Sequence, residues 1–196
     1  MDELAGRDQE IADALALVGY PEERRRGGAN FETLLRIIVG QQLSVTAAAT
    51  IFGRVRAALD HDLQPERLLA LSDEALRSQG LSKQKIGYAR GLSDALIAGE
   101  LEPEALHMHS DEEVIKAVTR LKGFGRWSAE MFLIATLGRP DVWPVDDLGV
   151  RAGLQMLKQL SERPTPKQAE RMGEDWRPYR SSVALLIWHY HANAPL

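Results

Sequence analysis

Three features of the sequence predict an all-α protein: apolar residues recur at spacings of three and four rather than two, Leu and Ala dominate among them, and no stretch alternates as a strand would. Ile11, Leu15 and Val18 mark a first helix, which Gly19-Tyr20-Pro21 ends before a charged run from Glu22 to Arg26 and Gly27-Gly28. Phe31, Leu34, Leu35 and Ile38 form a second apolar stripe that runs into Gly40-Gln41-Gln42-Leu43-Ser44. Helical spacing resumes with Val45, Ala48, Ile51, Phe52 and Val55. Between Asp60 and Gly80, charge and Pro65 point to short helices, and Ser72 before Asp73-Glu74-Ala75 reads as an N-cap. Gly80-Leu81-Ser82 then opens a basic helix start carrying Lys83, Lys85 and Arg90. Ser110 and Glu113 make a capping box, in which hydroxyl and carboxylate satisfy reciprocal backbone donors ahead of Val114, Val118 and Leu121. Thr165-Pro166-Lys167-Gln168 repeats that logic with proline at the first helical position. A final amphipathic helix follows Pro178, with Val183, Leu186 and Ile187 on its apolar side.

The 196 residues suit a single compact unit, and its breaks are expected near residues 27–30 and 107–110. That gives two helical lobes, approximately 30–107 and 108–196, with the N-terminal helix 10–19 packing back on the second. A composition of 44% hydrophobic and 27% charged residues is that of an ordinary globular chain. No window holds the roughly 18 consecutive apolar residues of a membrane span. The acidic, polar start lacks the pattern of a secretory signal, so a cytoplasmic protein is expected. The lack of cysteine removes disulfides, thiolate zinc sites, cysteine nucleophiles and cysteine-ligated iron–sulfur clusters. His61, His107, His109, His189 and His191 show no metal-ligand spacing, and no metal is expected. A net charge of −4 opposes non-specific nucleic-acid binding, so any DNA site must be locally basic. Lys83, Lys85, Lys122, Arg126 and Arg180 are candidates for that surface, although each alone also reads as a solvated residue. Arg24, Arg25 and Arg26 adjoin Glu22 and Glu23 and read as solvated.

The most informative segment is Leu121-Lys122-Gly123-Phe124-Gly125-Arg126-Trp127-Ser128-Ala129, between two helical patterns. Its glycines permit a tight hairpin, after which the first N–H groups of the next helix can hold a phosphate oxygen. A plain helix corner is the alternative. The second segment, Asp141-Val142-Trp143-Pro144-Val145-Asp146-Asp147-Leu148-Gly149-Val150-Arg151, pairs a proline-induced extension with an aspartate at a helix start. Such an aspartate is an N-cap, an electrostatic catalyst, or both, and spacing alone does not separate the readings.

The order helix, Gly-x-Gly hairpin, helix, Pro-containing loop, Asp resembles the helix–hairpin–helix superfamily of base-excision DNA glycosylases. Within it, Val39-Gly40-Gln41-Gln42-Leu43-Ser44-Val45, Gly80-Leu81-Ser82 with Lys85, Gly123 to Ala129, and Trp176-Arg177-Pro178-Tyr179-Arg180-Ser181 resemble the 3-methyladenine DNA glycosylase II family. The likeness spans roughly residues 10–192. It implies two helical lobes with a cleft between them, and hydrolysis of the N-glycosidic bond of an alkylated base flipped out of duplex DNA. The longer family members carry a further N-terminal α/β lobe, so a minimal two-lobe version is expected.

Residue by residue, the resemblance places the catalytic carboxylate at Asp147, before Leu148-Gly149-Val150-Arg151, with Asp146 the competing assignment. Gly123, Phe124, Gly125 and Ser128 would grip the DNA backbone 3′ to the lesion, with a monovalent cation bridging hairpin and phosphate and no other cofactor. Trp127 and Trp188, with Met131 and Tyr190 beside them, would form the base pocket, an indole face attracting a cationic purine. Met131 departs from the family, which commonly has an aromatic there. Gln41 and Gln42 lie where the family inserts a wedge into the duplex, and Gln42 is the expected inserting residue. Lys85 is expected on the DNA surface. Relatives that also cleave the strand carry a lysine where this chain has Trp127, which implies a monofunctional enzyme without lyase activity. Expected targets are 3-methyladenine and 7-methylguanine in damaged double-stranded DNA, with no membrane or obligate protein partner and a monomeric state. The rivals are a uracil or mismatch glycosylase on the same scaffold, a non-enzymatic hairpin protein that only binds DNA, and an all-α protein-interaction module.

Overall fold

The computed structural model describes residues 1–21 and 27–194, so the charged run Glu22–Arg26, read above as solvated, lies outside the described residues. In chain order the helices are α1 (Asp2–Ala5), α2 (Gln9–Val18), α3 (Phe31–Gly40), α4 (Val45–Ala58), α5 (Pro65–Ala70), α6 (Asp73–Ser78), α7 (Lys83–Ile97), α8 (Asp111–Thr119), α9 (Arg126–Phe132), α10 (Leu148–Leu157), α11 (Pro166–Met172) and α12 (Arg180–Asn193). No strand occurs among the described residues, as the apolar spacing predicts. None of these helices is long and apolar enough to cross a membrane. The chain divides into two compact units, a central one, Arg26–Leu137, and a terminal one formed by Met1–Arg25 with Gly138–Leu196.

In the central unit, side-chain oxygens of Asn30, Ser44, Ser72, Ser82 and Ser110 accept a first-turn backbone N–H and so start α3, α4, α6, α7 and α8. Each such cap stabilises its helix by about 1 kcal/mol. The stripe Phe31, Leu34, Leu35, Ile38 and Val39 is buried along α3, which packs on α4, α7 and α9. Arg90 of α7 braces the short helices below it, donating to Asp73 and to the carbonyls of Leu69 and Leu71. The boundary expected near 107–110 is corrected to Leu137 and Gly138. The reason is that α9 packs on α3 as well as on α8, which ties both helices to the elements before them. The capping box at Ser110 marks the start of a helix and not of a lobe.

In the terminal unit, α2 lies against α10 and α12, and Ile11, Ala14, Leu15, Leu154, Val183, Leu186 and Ile187 form a shared core. Gly153 lets α10 and α12 meet closely: a methyl there would stand 2.4 Å from Ile187 Cγ2 and 2.8 Å from the Ile187 carbonyl. Trp143 and Trp176 meet edge to face at 5.4 Å, and the Trp176 indole donates to Asp8, the cap of α2, at 2.7 Å.

Arg180, read from the sequence as part of a basic surface, is instead buried and braces the segment that leads to Asp147. Its Nε and Nη2 donate to the two carboxylate oxygens of Asp141 at 2.7 and 2.9 Å, and Nη2 also reaches the Asp141 carbonyl at 3.0 Å. Burial works to raise the Asp141 pKa, but the hydrogen bonds and charge of Arg180 outweigh it and hold the carboxyl below its ordinary range. Folding therefore favours the ionised form. That contribution is complete above the unfolded value and drains away as the pH falls below about 4. Replacing Arg180→Met is expected to cost about 1–3 kcal/mol at neutral pH, since it removes the guanidinium's hydrogen bonds to Asp141 and leaves that partly buried carboxylate to Arg177 Nη1 alone, at 2.8 Å. Urea unfolding across pH checks this, and the deficit should narrow on the acid side.

Candidate active site

Two segments carry the candidate chemistry, one in each unit. In the terminal unit the chain from Pro140 to Asp147 is tied to the start of α12, with Ser181 N–H on the Pro140 carbonyl at 3.0 Å and Val142 N–H on Ser181 Oγ at 2.9 Å. Trp143 is buried and donates to the Ala169 carbonyl at 2.8 Å, and its ring lies so close to Gly173 that a methyl there would come within 2.4 Å. Pro144 is buried too, and its carbonyl accepts the Asp147 N–H at 3.0 Å. With both ends held, the loop delivers Asp147 in an extended conformation as the N-cap of α10, while Asp146 is exposed in the turn before it.

Asp147 Oδ1 accepts the Val150 N–H at 2.7 Å and the Trp188 indole N–H at 2.8 Å. One bond is the ordinary cap; the other reaches across from α12 and fixes the carboxylate's orientation. Gly149 gives that approach room, because a methyl there would stand a tight 3.1 Å from both Asp147 Oδ1 and Trp188 Cδ1. The start of α10, the positive end of its dipole, and the two N–H donors all face this carboxylate and hold it in one orientation. Trp188, expected as an aromatic face of the base pocket, thus has its N–H committed to Asp147. Tyr190 lies two residues further along α12, so it points to a different side of the helix and is not gathered with Trp188 and Asp147.

In the central unit the hairpin turns at Gly123, whose φ of +95° lies in the left-handed region. The Tyr88 ring packs directly on it, and a methyl at Gly123 would fall 2.3 Å from Tyr88 Cγ. The Phe124 N–H closes the turn on the Leu121 carbonyl at 3.1 Å, and the Phe124 side chain is buried, so Phe124 shapes the hairpin and has no donor to offer a phosphate. Gly125 is the N-cap of α9 and supplies no side-chain acceptor, which leaves first-turn N–H groups for an anion. Trp127 and Met131 are half-buried and four residues apart on α9, hence on one face. Neutral carbonyl oxygens such as those of Leu121 and Gly123, each with a lone pair left over, suit a monovalent cation at the hairpin. Among the described residues no cluster of acidic or histidine side chains stands ready for a metal ion.

Three expected DNA contacts have protein partners instead. The Ser128 hydroxyl is buried and accepts Gln41 Nε2 at 3.3 Å, so only the backbone of Ser128 remains to meet DNA. Gln41 also donates to the Gly123 carbonyl at 2.8 Å. Lys85 Nζ donates to the carbonyls of Val39 and Gln41 at 2.7 and 2.8 Å, closing the end of α3, and burial pulls its pKa below that of an ordinary lysine. Arg126 pairs with Glu130 at 2.9 Å, whereas Lys83 and Lys122 are exposed. Gln42 is exposed, with a φ of +57° that non-glycine residues seldom adopt. Sequence reasoning missed Tyr88 altogether. Its placement three residues after Lys85 puts both on one face of α7, a legible spacing whose target is not legible.

An all-helical chain with a Gly-x-Gly hairpin opening one helix and a Pro-containing loop ending in a helix-capping aspartate defines a base-excision glycosylase scaffold. Residues 35–178 match the HhH-GPD superfamily of base excision DNA repair proteins, and the chain belongs to it. Among curated proteins it is 33% identical to DNA-3-methyladenine glycosylase 1 of Schizosaccharomyces pombe, over 94% of this chain and 83% of that protein. DNA-3-methyladenine glycosylase 2 of Escherichia coli is 30% identical over 81% of this chain, which spans 57% of that longer protein. The S. pombe 3-methyladenine DNA glycosylase solved in complex with abasic DNA superposes with a TM-score of 0.88 at 34% identity, covering 94% of this chain and 92% of that one. A DNA-3-methyladenine glycosidase of Bacillus halodurans gives a TM-score of 0.79, also at 34% identity, covering 97% and 88%.

Proposed function

We propose that this protein is a DNA-repair hydrolase that binds damaged duplex DNA, flips out an alkylated base such as 3-methyladenine or 7-methylguanine, and hydrolyses its N-glycosidic bond to leave an abasic site. The observation that carries this reading is the Asp147 carboxylate, held by the Val150 and Trp188 N–H groups at the start of α10 in a chain of the base-excision superfamily. A carboxylate so fixed stabilises positive charge as it develops on the sugar, and it orients or deprotonates the attacking water. Alkylation at a ring nitrogen makes the base cationic, so it departs without acid assistance. Trp127, with Met131 on the same face of α9, offers the cationic base an aromatic surface, and Trp188 acts by holding Asp147. The hairpin from Gly123 to Gly125 meets the DNA backbone, and a monovalent cation on its carbonyls would supply positive charge toward a phosphate. Trp127 carries no amine, so no Schiff base forms and the strand stays intact until alkali is added. The chain acts as a monomer without an obligate protein partner.

The test is release of free base from methylated duplex DNA by the purified protein, followed by mild alkali to reveal abasic sites. Release of methylated purines without strand breaks before alkali is the expected result. Release of uracil alone, or tight DNA binding with no base release, would overturn it.

A further inference from the structure

The residues around Gln42 have a role beyond the one the sequence suggests. A left-handed conformation at a non-glycine residue is strained and persists where its surroundings over-determine it. At Gln42 they do so from two sides. On one, Lys85 Nζ spans the carbonyls of Val39 and Gln41, at the end of α3 and in the turn that follows it. On the other, the Gln41 side chain donates to the Gly123 carbonyl and the Ser128 hydroxyl, joining this turn to the hairpin. Tyr88, on the same face of α7 as Lys85, lies under Gly123 and steadies the hairpin from below. A lysine that directs two of its three N–H donors to backbone carbonyls at 2.7 and 2.8 Å is poorly placed to meet a phosphate.

We infer that Lys85 and Gln41 are positioning residues, which lock the exposed Gln42 to the hairpin so that the grip on the DNA backbone sets where Gln42 enters the duplex. The inference rests on the glycosylase reading above. It differs from the expectation that Lys85 and Gln41 bind DNA themselves, and the two make opposite predictions about salt. A lysine on a phosphate releases counterions, so its loss would reduce the slope of log Kd against log salt by about 0.9. A positioning lysine leaves that slope alone.

The experiment combines single-turnover release of 7-methylguanine from a duplex oligonucleotide with the affinity for an abasic-analogue duplex between about 50 and 200 mM salt. Lys85→Met is expected to slow release about tenfold with the salt slope unchanged. In a Gln42→Ala background the same replacement should add less than about twofold, because Lys85 acts through Gln42. Gln41→Ala, at a partly exposed position that leaves the end of α3 intact, repeats the cycle should Lys85→Met unfold the chain. A reduced slope, or effects of Gln42 and Lys85 that simply multiply, would overturn the inference. An unaltered chain that binds the abasic duplex but releases no base would sink the glycosylase reading instead. In that case affinity for the abasic duplex gives the same cycle, with Lys85→Met weakening it only while Gln42 is present.

Discussion

Asp147→Asn is expected to slow base release by about 10²- to 10⁴-fold while leaving both DNA affinity and stability nearly intact. In the proposed mechanism the side chain has two duties, and asparagine performs only one of them. As an N-cap, asparagine is about as good as aspartate. Its carbonyl oxygen can take the place of Asp147 Oδ1 in accepting from Val150 N–H and the Trp188 indole. Stability in urea should therefore change by no more than about 0.5 kcal/mol. What disappears is the negative charge that, in the proposed mechanism, stabilises the cation forming on the sugar. Asp146→Asn serves as the control, because Asp146 is exposed in the preceding turn, and its release rate should stay within about twofold. Single-turnover release of 3-methyladenine by the two variants decides the assignment. Loss of activity in the Asp146 variant, or its retention in the Asp147 variant, would sink it.

The second large effect is on stability. Gly123→Ala is expected to destabilise the chain by roughly 2–5 kcal/mol, combining left-handed strain with the overpacking of a methyl against a ring. The contact at 2.3 Å is to Cγ of Tyr88, the root of the ring, so relief requires the whole side chain to swing away from the hairpin. Gly125→Ala should cost under about 1 kcal/mol, because Gly125 has a φ of −92° and nothing within 4 Å of an added methyl, leaving only the weaker capping of alanine. Urea unfolding of the two variants side by side tests this, and equal losses would show that the hairpin is not braced as described. Gly125→Ala is the more informative variant for DNA binding, since it is expected to stay folded while a methyl stands where the proposed grip places a phosphate.

These two glycines show where sequence reasoning stops. Both are plain in the motif, and both were expected to serve the same backbone grip, yet only one is held against another helix. Tyr88 lies 35 positions before Gly123, and nothing in the hairpin's own sequence announces it. The same holds for the charged residues. Lys85 and Arg180 look like surface cations in a string of letters, since side chains of that length normally stay in water. Each is instead drawn to acceptors on another element, Lys85 to the end of α3 and Arg180 to Asp141. Asp146 and Asp147 are adjacent and chemically identical, and the residue that separates them, Trp188, belongs to the last helix.

The helical class, the helix starts, the hairpin, and the aspartate pair at the end of the Pro-containing loop are all legible in the chain's own letters. These rest on interactions between residues a few positions apart: apolar spacing, a hydroxyl reaching back to its own helix, a glycine permitting a turn. Which aspartate is fixed, which glycine is braced, which cations are spent on backbone and carboxylate, and where the two units divide all follow from packing between distant helices. Each of those depends on a partner tens of residues away, whose approach is set by how whole helices pack.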